Sequence, residues 1–174
     1  MSSFNEMEQS LKKLSGASAN VPLDEVTLLR LIHHYSDFIT VMLRQLVKPY
    51  NLTDWSMRAL LMMRADADKK GVPMATLGNI TGESATNMTR ICDELVKSGL
   101  AIRSSDLQDR RKVLLSTTPK ADAILAQVTP LVWGHLSSSM SELSKEEITL
   151  MIALLKKLTI GAENEAKLIK TSTP

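Results

Sequence analysis

The sequence predicts a mainly α-helical chain carrying one small β-hairpin, on three observations. Apolar residues recur at helical spacing along most of its 174 residues, as in Met88, Ile91, Cys92, Leu95 and Val96. Helix-starting signals punctuate it: Pro22 ahead of Asp24 and Glu25, then Thr53, Ser84, Thr118-Pro119 and Ser144-Lys145-Glu146-Glu147. Only one stretch, 100–105 and 112–117 around the polar turn Asp106-Leu107-Gln108-Asp109, reads as a pair of strands.

Residues 1–20 form a polar extension, with a short amphipathic piece at 4–14 and then a Ser/Ala/Gly linker. It lacks the apolar centre of a signal peptide, and no apolar run approaches the roughly 18 residues of a membrane span, so a cytoplasmic protein with no membrane partner is expected. From Pro22 a long helix runs to about Lys48. Along it Leu28, Ile32, Tyr35, Ile39, Met42 and Leu46 alternate steps of four and three, giving one apolar seam that ends before Pro49. Thr53 caps a second helix through about Ala65.

Residues 74–81 are read as the next helix. Gly78 in its interior costs about 0.5–1 kcal/mol against Ala, which predicts a short or irregular element. After the turn at Gly82, Ser84 caps a helix that stops at Ser98-Gly99. Rotation of about 100° per residue sets Thr86, Arg90 and Lys97 opposite the apolar stripe, with Asn87 on the flank. Asp93 and Glu94 share that outer side in the second half, where they would repel phosphate. Contact with a nucleic acid is therefore expected from the first turns.

Thr118-Pro119 opens a further helix that Pro130 should kink or end. The last regular helix is predicted over 145–159. Its segment 150–155 is nearly all apolar and demands more than one partner surface.

The whole chain carries a net charge of only +2. Between Lys97 and Lys112, however, five basic residues (Lys97, Arg103, Arg110, Arg111, Lys112) face two acids (Asp106, Asp109), a local +3. Clustering of this kind, more than total charge, marks a nucleic-acid binder.

The segment 82–121 resembles the winged helix-turn-helix of the MarR family (multiple antibiotic resistance regulators). The resemblance rests on Ser84-x-x-x-x-Thr89-Arg90, then Gly99-Leu100, Asp109-Arg110-Arg111 and Thr118-Pro119-Lys120, and it runs from about Leu28 to Leu158. It implies a mainly α fold with a small β-wing, flanked by long N- and C-terminal dimerisation helices. It also implies that Arg111 enters the minor groove with Asp109 holding it, while Arg110 lies beside the phosphates or shares the groove. A guanidinium suits a narrow, negative groove because it is a rigid fork that sheds water more easily than an ammonium. The implied DNA-binding set is Ser84, Thr86, Asn87, Thr89, Arg90, Asp109, Arg110 and Arg111.

A dimerisation region at 21–50 and 119–174 and a winged region at 51–118 are thus expected within one continuous domain. In a two-fold homodimer the reading helices would sit about 34–36 Å apart over an inverted repeat of double-stranded DNA. A monomer that folds its helices back on its own core is the alternative at this stage. The resemblance further implies a small-molecule effector, often an aromatic acid or phenol, between the dimer-forming helices and the winged region. Residues of suitable chemistry are His33, His34, Tyr35, Arg44, Trp55 and Arg58, with Trp133 as a further candidate.

No phosphate loop, nucleophile elbow, His-Glu-x-x-His or paired-Cys motif is present, so neither catalysis, a cofactor nor a metal is expected. His33 and His34 are adjacent and point to different sides of a helix. The single Cys92 lies on the apolar stripe, where a small core residue is the reading favoured over a redox sensor. The expected function is a ligand-responsive transcriptional repressor released from an inverted-repeat operator by an aromatic acid or phenol. The competing reading is a dimeric winged-helix module that binds protein instead of DNA.

Overall fold

The computed structural model describes residues 21–66, 70–106 and 112–172, together with Gln9 and Lys13. The amphipathic piece expected at 4–14 lies almost wholly outside the described residues. Two compact units divide the chain, residues 1–132 and 133–174.

In the first unit, α1 (Leu23–Val47) has Asp24 and Glu25 in its first turn, where they complement the helix dipole. A single 3₁₀ turn, Lys48–Tyr50, follows, and Asn51 turns the chain at a φ of 54°. The helix α2 (Asp54–Arg64) opens on a reciprocal cap: Thr53 Oγ1 accepts from Ser56 N at 3.1 Å, and Ser56 Oγ accepts from Thr53 N at 2.7 Å. Next come strand β1 (Val72–Pro73), α3 (Met74–Thr81), α4 (Ala85–Lys97) and the strands β2 (Ala101–Ser105) and β3 (Val113–Thr117).

The sheet has three antiparallel strands in the order β1-β3-β2, with Leu115 opposite both Val72 and Arg103. Sequence patterning did not reveal β1. A two-residue strand holding a proline has no periodicity to detect, and Pro73 is tolerated because the strand lies at the sheet edge. Gly71 admits it. Its φ is +91°, and a Cβ there would lie 2.9 Å from Leu114 Cβ, so a side chain would push the edge strand off the sheet.

Val47, Leu60, Leu77, Met88, Ile91, Leu115, Leu125 and Val128 are fully buried and draw α1 to α4, the sheet and the following helix into one core. Helix α3 is short, eight residues, as the cost of Gly78 predicts, and it is regular throughout. Gly78 is buried, and a Cβ on it would meet the Glu83 carbonyl at 3.3 Å and Met88 Cβ at 3.9 Å. The glycine thus buys close approach between α3 and the start of α4. Thr81, also buried, turns its hydroxyl inward to donate to Leu77 O at 2.7 Å.

Helix α5 (Pro119–Ser139) begins with Thr118 as cap, Ala121 N donating to its hydroxyl at 3.2 Å. Pro130 does not end it, and the helix continues through Ser139. A proline removes one backbone donor, and the remaining turns of this 21-residue helix carry it past that loss.

In the second unit, the Ser144–Glu147 box is formed as expected, with Glu147 N donating to Ser144 Oγ at 3.2 Å and Glu147 Oε2 accepting from Ser144 N at 2.7 Å. These hydrogen bonds hold the Glu147 carboxyl below its usual value. The helix they open, α6 (Lys145–Ser172), is 28 residues long and outruns the predicted end at 159. Gly161 costs it about 1 kcal/mol, and the Ala, Glu, Lys and Leu residues that follow have high helix propensity and offset that cost. Its apolar residues Leu150, Met151, Ile152, Leu154, Leu155, Leu158 and Ile160 are all exposed.

Candidate nucleic-acid interface

The turn between α3 and α4 sets the candidate reading helix. Gly82 adopts a φ of 78°, and both Gly82 N and Glu83 N donate to the Gly78 carbonyl, closing α3. Ser84 is extended at its ψ of 151°, and its Oγ accepts from Asn87 N at 3.3 Å, so α4 starts where the cap predicts. At the other end Gly99 (φ 70°) donates to Val96 O and Leu100 N to Leu95 O, the double hydrogen bond of a Schellman stop. Met88, Ile91, Cys92 and Leu95 fill the buried face. Thr86, Thr89, Arg90 and Lys97 are exposed and Asn87 half-buried, as rotation about the helix required.

These polar groups are not independent. Thr89 Oγ1 donates back to Ala85 O at 2.8 Å. Asn87 Nδ2 donates to a Glu83 carboxylate oxygen, while Asn87 Oδ1 accepts from Arg90 Nε at 3.3 Å and Nη2 at 2.8 Å. Arg90 Nη1 donates to Glu94 Oε1 at 2.7 Å. One chain of contacts therefore runs Glu83–Asn87–Arg90–Glu94 along the outward face. The sequence reading treats Glu94 only as a repelling charge and passes over Glu83, although the four-residue spacing of Glu83–Asn87 and Arg90–Glu94 and the three-residue spacing of Asn87–Arg90 are there to read.

Arg103 on β2 pairs with Asp93 on α4, tying the hairpin to the helix. This pairing withdraws one of the five cations from the basic cluster. Asp109, Arg110 and Arg111, with the wing tip, lie outside the described residues. The hairpin is described up to Asp106 and again from Lys112, where Asp106 N donates to Lys112 O at 3.1 Å.

Within the first unit, a cavity of about 470 Å³ opens between α1 and the start of α2. Ser36, Thr40 and Arg44 of α1 and Lys48 of the 3₁₀ turn contribute one four-residue-spaced stripe, and Leu52, Thr53, Asp54, Trp55 and Arg58 complete the lining. The Arg58 guanidinium lies 5.0 Å over the Trp55 ring and is gripped by Asp54, through Nε at 3.2 Å and Nη2 at 3.0 Å. Arg44 and Lys48 have no ion-pair partner among the described residues, so three cations against one carboxylate make the lining electropositive. Of the expected effector residues, Arg44, Trp55 and Arg58 meet here.

His33, His34 and Tyr35 do not line this cavity. The two-sided spread that adjacent positions impose on a helix carries them off the stripe, and His34 instead meets Phe38 edge-on at 4.8 Å. Trp133 is exposed in the second unit. Among the described residues no group of three His, Cys, Asp or Glu side chains is placed to hold a metal, and no helix is long and apolar enough to cross a membrane. Cys92 is fully buried, and burial pushes its thiol above the usual 9.0, outweighing the attraction of Arg103; Asp93 adds to the rise.

No protein-family model matches the sequence. The transcriptional repressor MprA of Escherichia coli K12 is 29% identical over 157 residues, covering 90% of this chain and 89% of the relative. Among solved structures, a mutant of MarR from Escherichia coli complexed with operator DNA is 26% identical, covers 80% of this chain and 99% of its own, and superposes with a TM-score of 0.68. CouR from Rhodococcus jostii RHA1, bound to p-coumaroyl-CoA, shares the fold at 19% identity and a TM-score of 0.67, covering 74% of this chain and 88% of its own. A capped helix after a tight glycine turn, a three-stranded wing sheet and near full-length likeness to these regulators lead to one conclusion: the chain has the winged helix-turn-helix fold of the MarR family and is similar over most of its length to transcriptional regulators of that family.

Proposed function

We propose that this regulator is a homodimeric repressor that binds an inverted repeat and is released by a small aromatic acid or phenol. The observation that carries the reading is the outward face of α4, capped by Ser84 and exposing Thr86, Thr89 and Arg90. Thr86, Asn87, Thr89 and Arg90 read or position the major groove, and the helix N-terminus behind Ser84 turns its dipole to a phosphate. Arg111, oriented by Asp109, enters the minor groove, with Arg110 alongside.

Dimerisation is supported by the apolar residues left exposed on α1 (Leu28, Leu29, Tyr35, Phe38) and along α6. Repression is supported by the relative MprA, itself a transcriptional repressor. The effector class is supported by the electropositive cavity with Trp55 in its wall, and by a structural neighbour that holds an aromatic acyl thioester. An acid seated beside Arg44 would change the balance between conformations in which both half-sites can or cannot be engaged together.

A gel-shift titration against the DNA flanking the protein's own coding sequence, at two salt concentrations, tests the reading. Binding should weaken steeply with salt, by a slope of about 0.9 per phosphate contacted. Arg111→Ala should abolish most of the affinity while leaving the dimer intact. Salt-insensitive or absent binding would return the protein-interaction alternative, and normal binding by Arg111→Ala would remove the wing from the interface.

A further inference from the structure

We propose that Glu94 is a specificity-determining residue: it neutralises Arg90 toward the phosphates of any DNA and gives it up only when α4 is seated against a matching base edge. The proposal rests on the reading of α4 as the helix that enters the groove.

Arg90 is the cation at the centre of the exposed face of α4, and its five N–H donors are partly committed. Nη1 holds Glu94 at 2.7 Å, and Nε and Nη2 hold Asn87 Oδ1. Asn87 is itself held by Glu83, so the guanidinium is braced on one side by an amide and on the other by a carboxylate. By donor count, Nη1 and Nη2 each retain one further hydrogen.

From a phosphate several ångströms off, this unit is an ion pair and not a free cation. The neighbouring charges do not change that. Asp93 is spent on Arg103, and Lys97 lies at the end of the helix, away from the turns that would enter the groove. The face of α4 consequently contributes little of the sequence-independent attraction that draws basic proteins to DNA of every sequence.

Exchange is nevertheless cheap. The Arg90 and Glu94 side chains are 60% and 58% exposed, and so weak a pair is easily given up to a partner that offers two hydrogen bonds in fixed geometry. The O6 and N7 acceptors of a guanine edge, met together by the arginine fork, are such a partner, and that geometry exists only when the helix is fully seated. Glu94 thus costs the operator complex little and the non-operator complex a phosphate contact. Asn87 and Glu83 keep the freed guanidinium pointing outward.

The test uses the full chain and two duplexes: one selected by the wild-type protein from a random pool, and a scrambled duplex of the same composition. Glu94→Gln should tighten binding to the scrambled duplex about fivefold more than to the selected one, with a salt slope on the scrambled duplex steeper by about one per subunit. In an Arg90→Ala background the same substitution should leave the ratio of the two affinities unchanged, because no cation remains to be released. An unaltered ratio in the single variant overturns the proposal. So does a ratio that shifts equally in the Arg90→Ala background, which would make Glu94 a mere repelling charge. Failure of the wild type to enrich any duplex would instead bring down the reading of α4 itself. Both side chains are on the surface, so melting temperatures should match the wild type.

Discussion

Replacing Leu154 by Glu tests whether α6 is the dimer interface, and its size can be worked from the exposure of that residue. Leu154 is 52% exposed in the chain by itself, at the centre of a strip formed by Leu150, Met151, Leu155 and Leu158. Burying a whole leucine side chain is worth about 1.5–3 kcal/mol, so covering its exposed half recovers roughly 1 kcal/mol in each subunit. Two-fold symmetry doubles the loss to about 2 kcal/mol, a dissociation constant weaker by roughly thirtyfold, before any cost of the new charge. Two carboxylates desolvated in an apolar interface add several kcal/mol more. Sedimentation velocity over a concentration series should therefore show Leu154→Glu as a monomer where the wild type is a dimer, with Leu154→Ala between them. Operator affinity should fall in the same order, since a monomer engages one half-site. Unchanged self-association in Leu154→Glu, or a wild type that is monomeric at all concentrations, would refute the assignment of this helix.

A screen of benzoate-like, hydroxycinnamate-like and phenolic compounds should find one that raises the melting temperature. At one hundred times its dissociation constant it adds about 2.7 kcal/mol, some 5–10 °C for a chain of this size. Arg44→Ala should erase that shift, and a shift that survives the substitution would place the ligand elsewhere. Burial raises the Cys92 thiol above its usual value, so the native state keeps the proton that the unfolded chain loses. The stabilisation this represents is fully present below pH 9.0, the unfolded value, and is lost as pH rises through the folded value. Cys92→Ala should flatten that alkaline loss in urea melts, and the native thiol should resist iodoacetamide at neutral pH. Rapid alkylation of the folded protein would contradict both.

The elements legible in the sequence were those with a start signal and a stripe long enough to show its period. Thr53, Ser84 and Thr118 each begin a helix within one residue of the predicted place, because a cap is a local hydrogen bond that needs no tertiary partner. What escaped was set at longer range. Strand β1 exists only because Gly71 allows Val72 and Pro73 to lie against β3, and two residues carry no pattern. The cost of Gly78 was real as a propensity, but the close approach of Glu83, which a side chain at 78 would crowd, lies in the fold and not in α3. Arg44, Trp55 and Arg58 were chosen for their chemistry, whereas the stripe Ser36, Thr40, Arg44 and Lys48 was a periodicity in polar residues, and only apolar periodicity had been followed.

The contacts at the far end of α4 suggest how the long helices would reach the reading face. Thr118, the cap of α5, donates its hydroxyl to Gly99 O at 2.8 Å and its backbone N–H to Leu100 O at 3.2 Å, and Lys120 Nζ reaches Ser98 O at 2.8 Å. The carbonyls of Ser98, Gly99 and Leu100, just after α4, are thereby satisfied by Thr118 and Lys120 at the start of α5. Ala121 and Leu125 continue that attachment into the buried core. At its other end α4 is fixed to α3 through Gly78 and Met88, and at its side to the hairpin through Asp93 and Arg103. Within the first unit α4 is thus tied at three points, to α3, to the hairpin and to the first turn of α5. Under the proposed function, a ligand would then act on the distance between the two winged regions of a dimer more than on α4 itself. That spacing is the quantity that an inverted repeat measures.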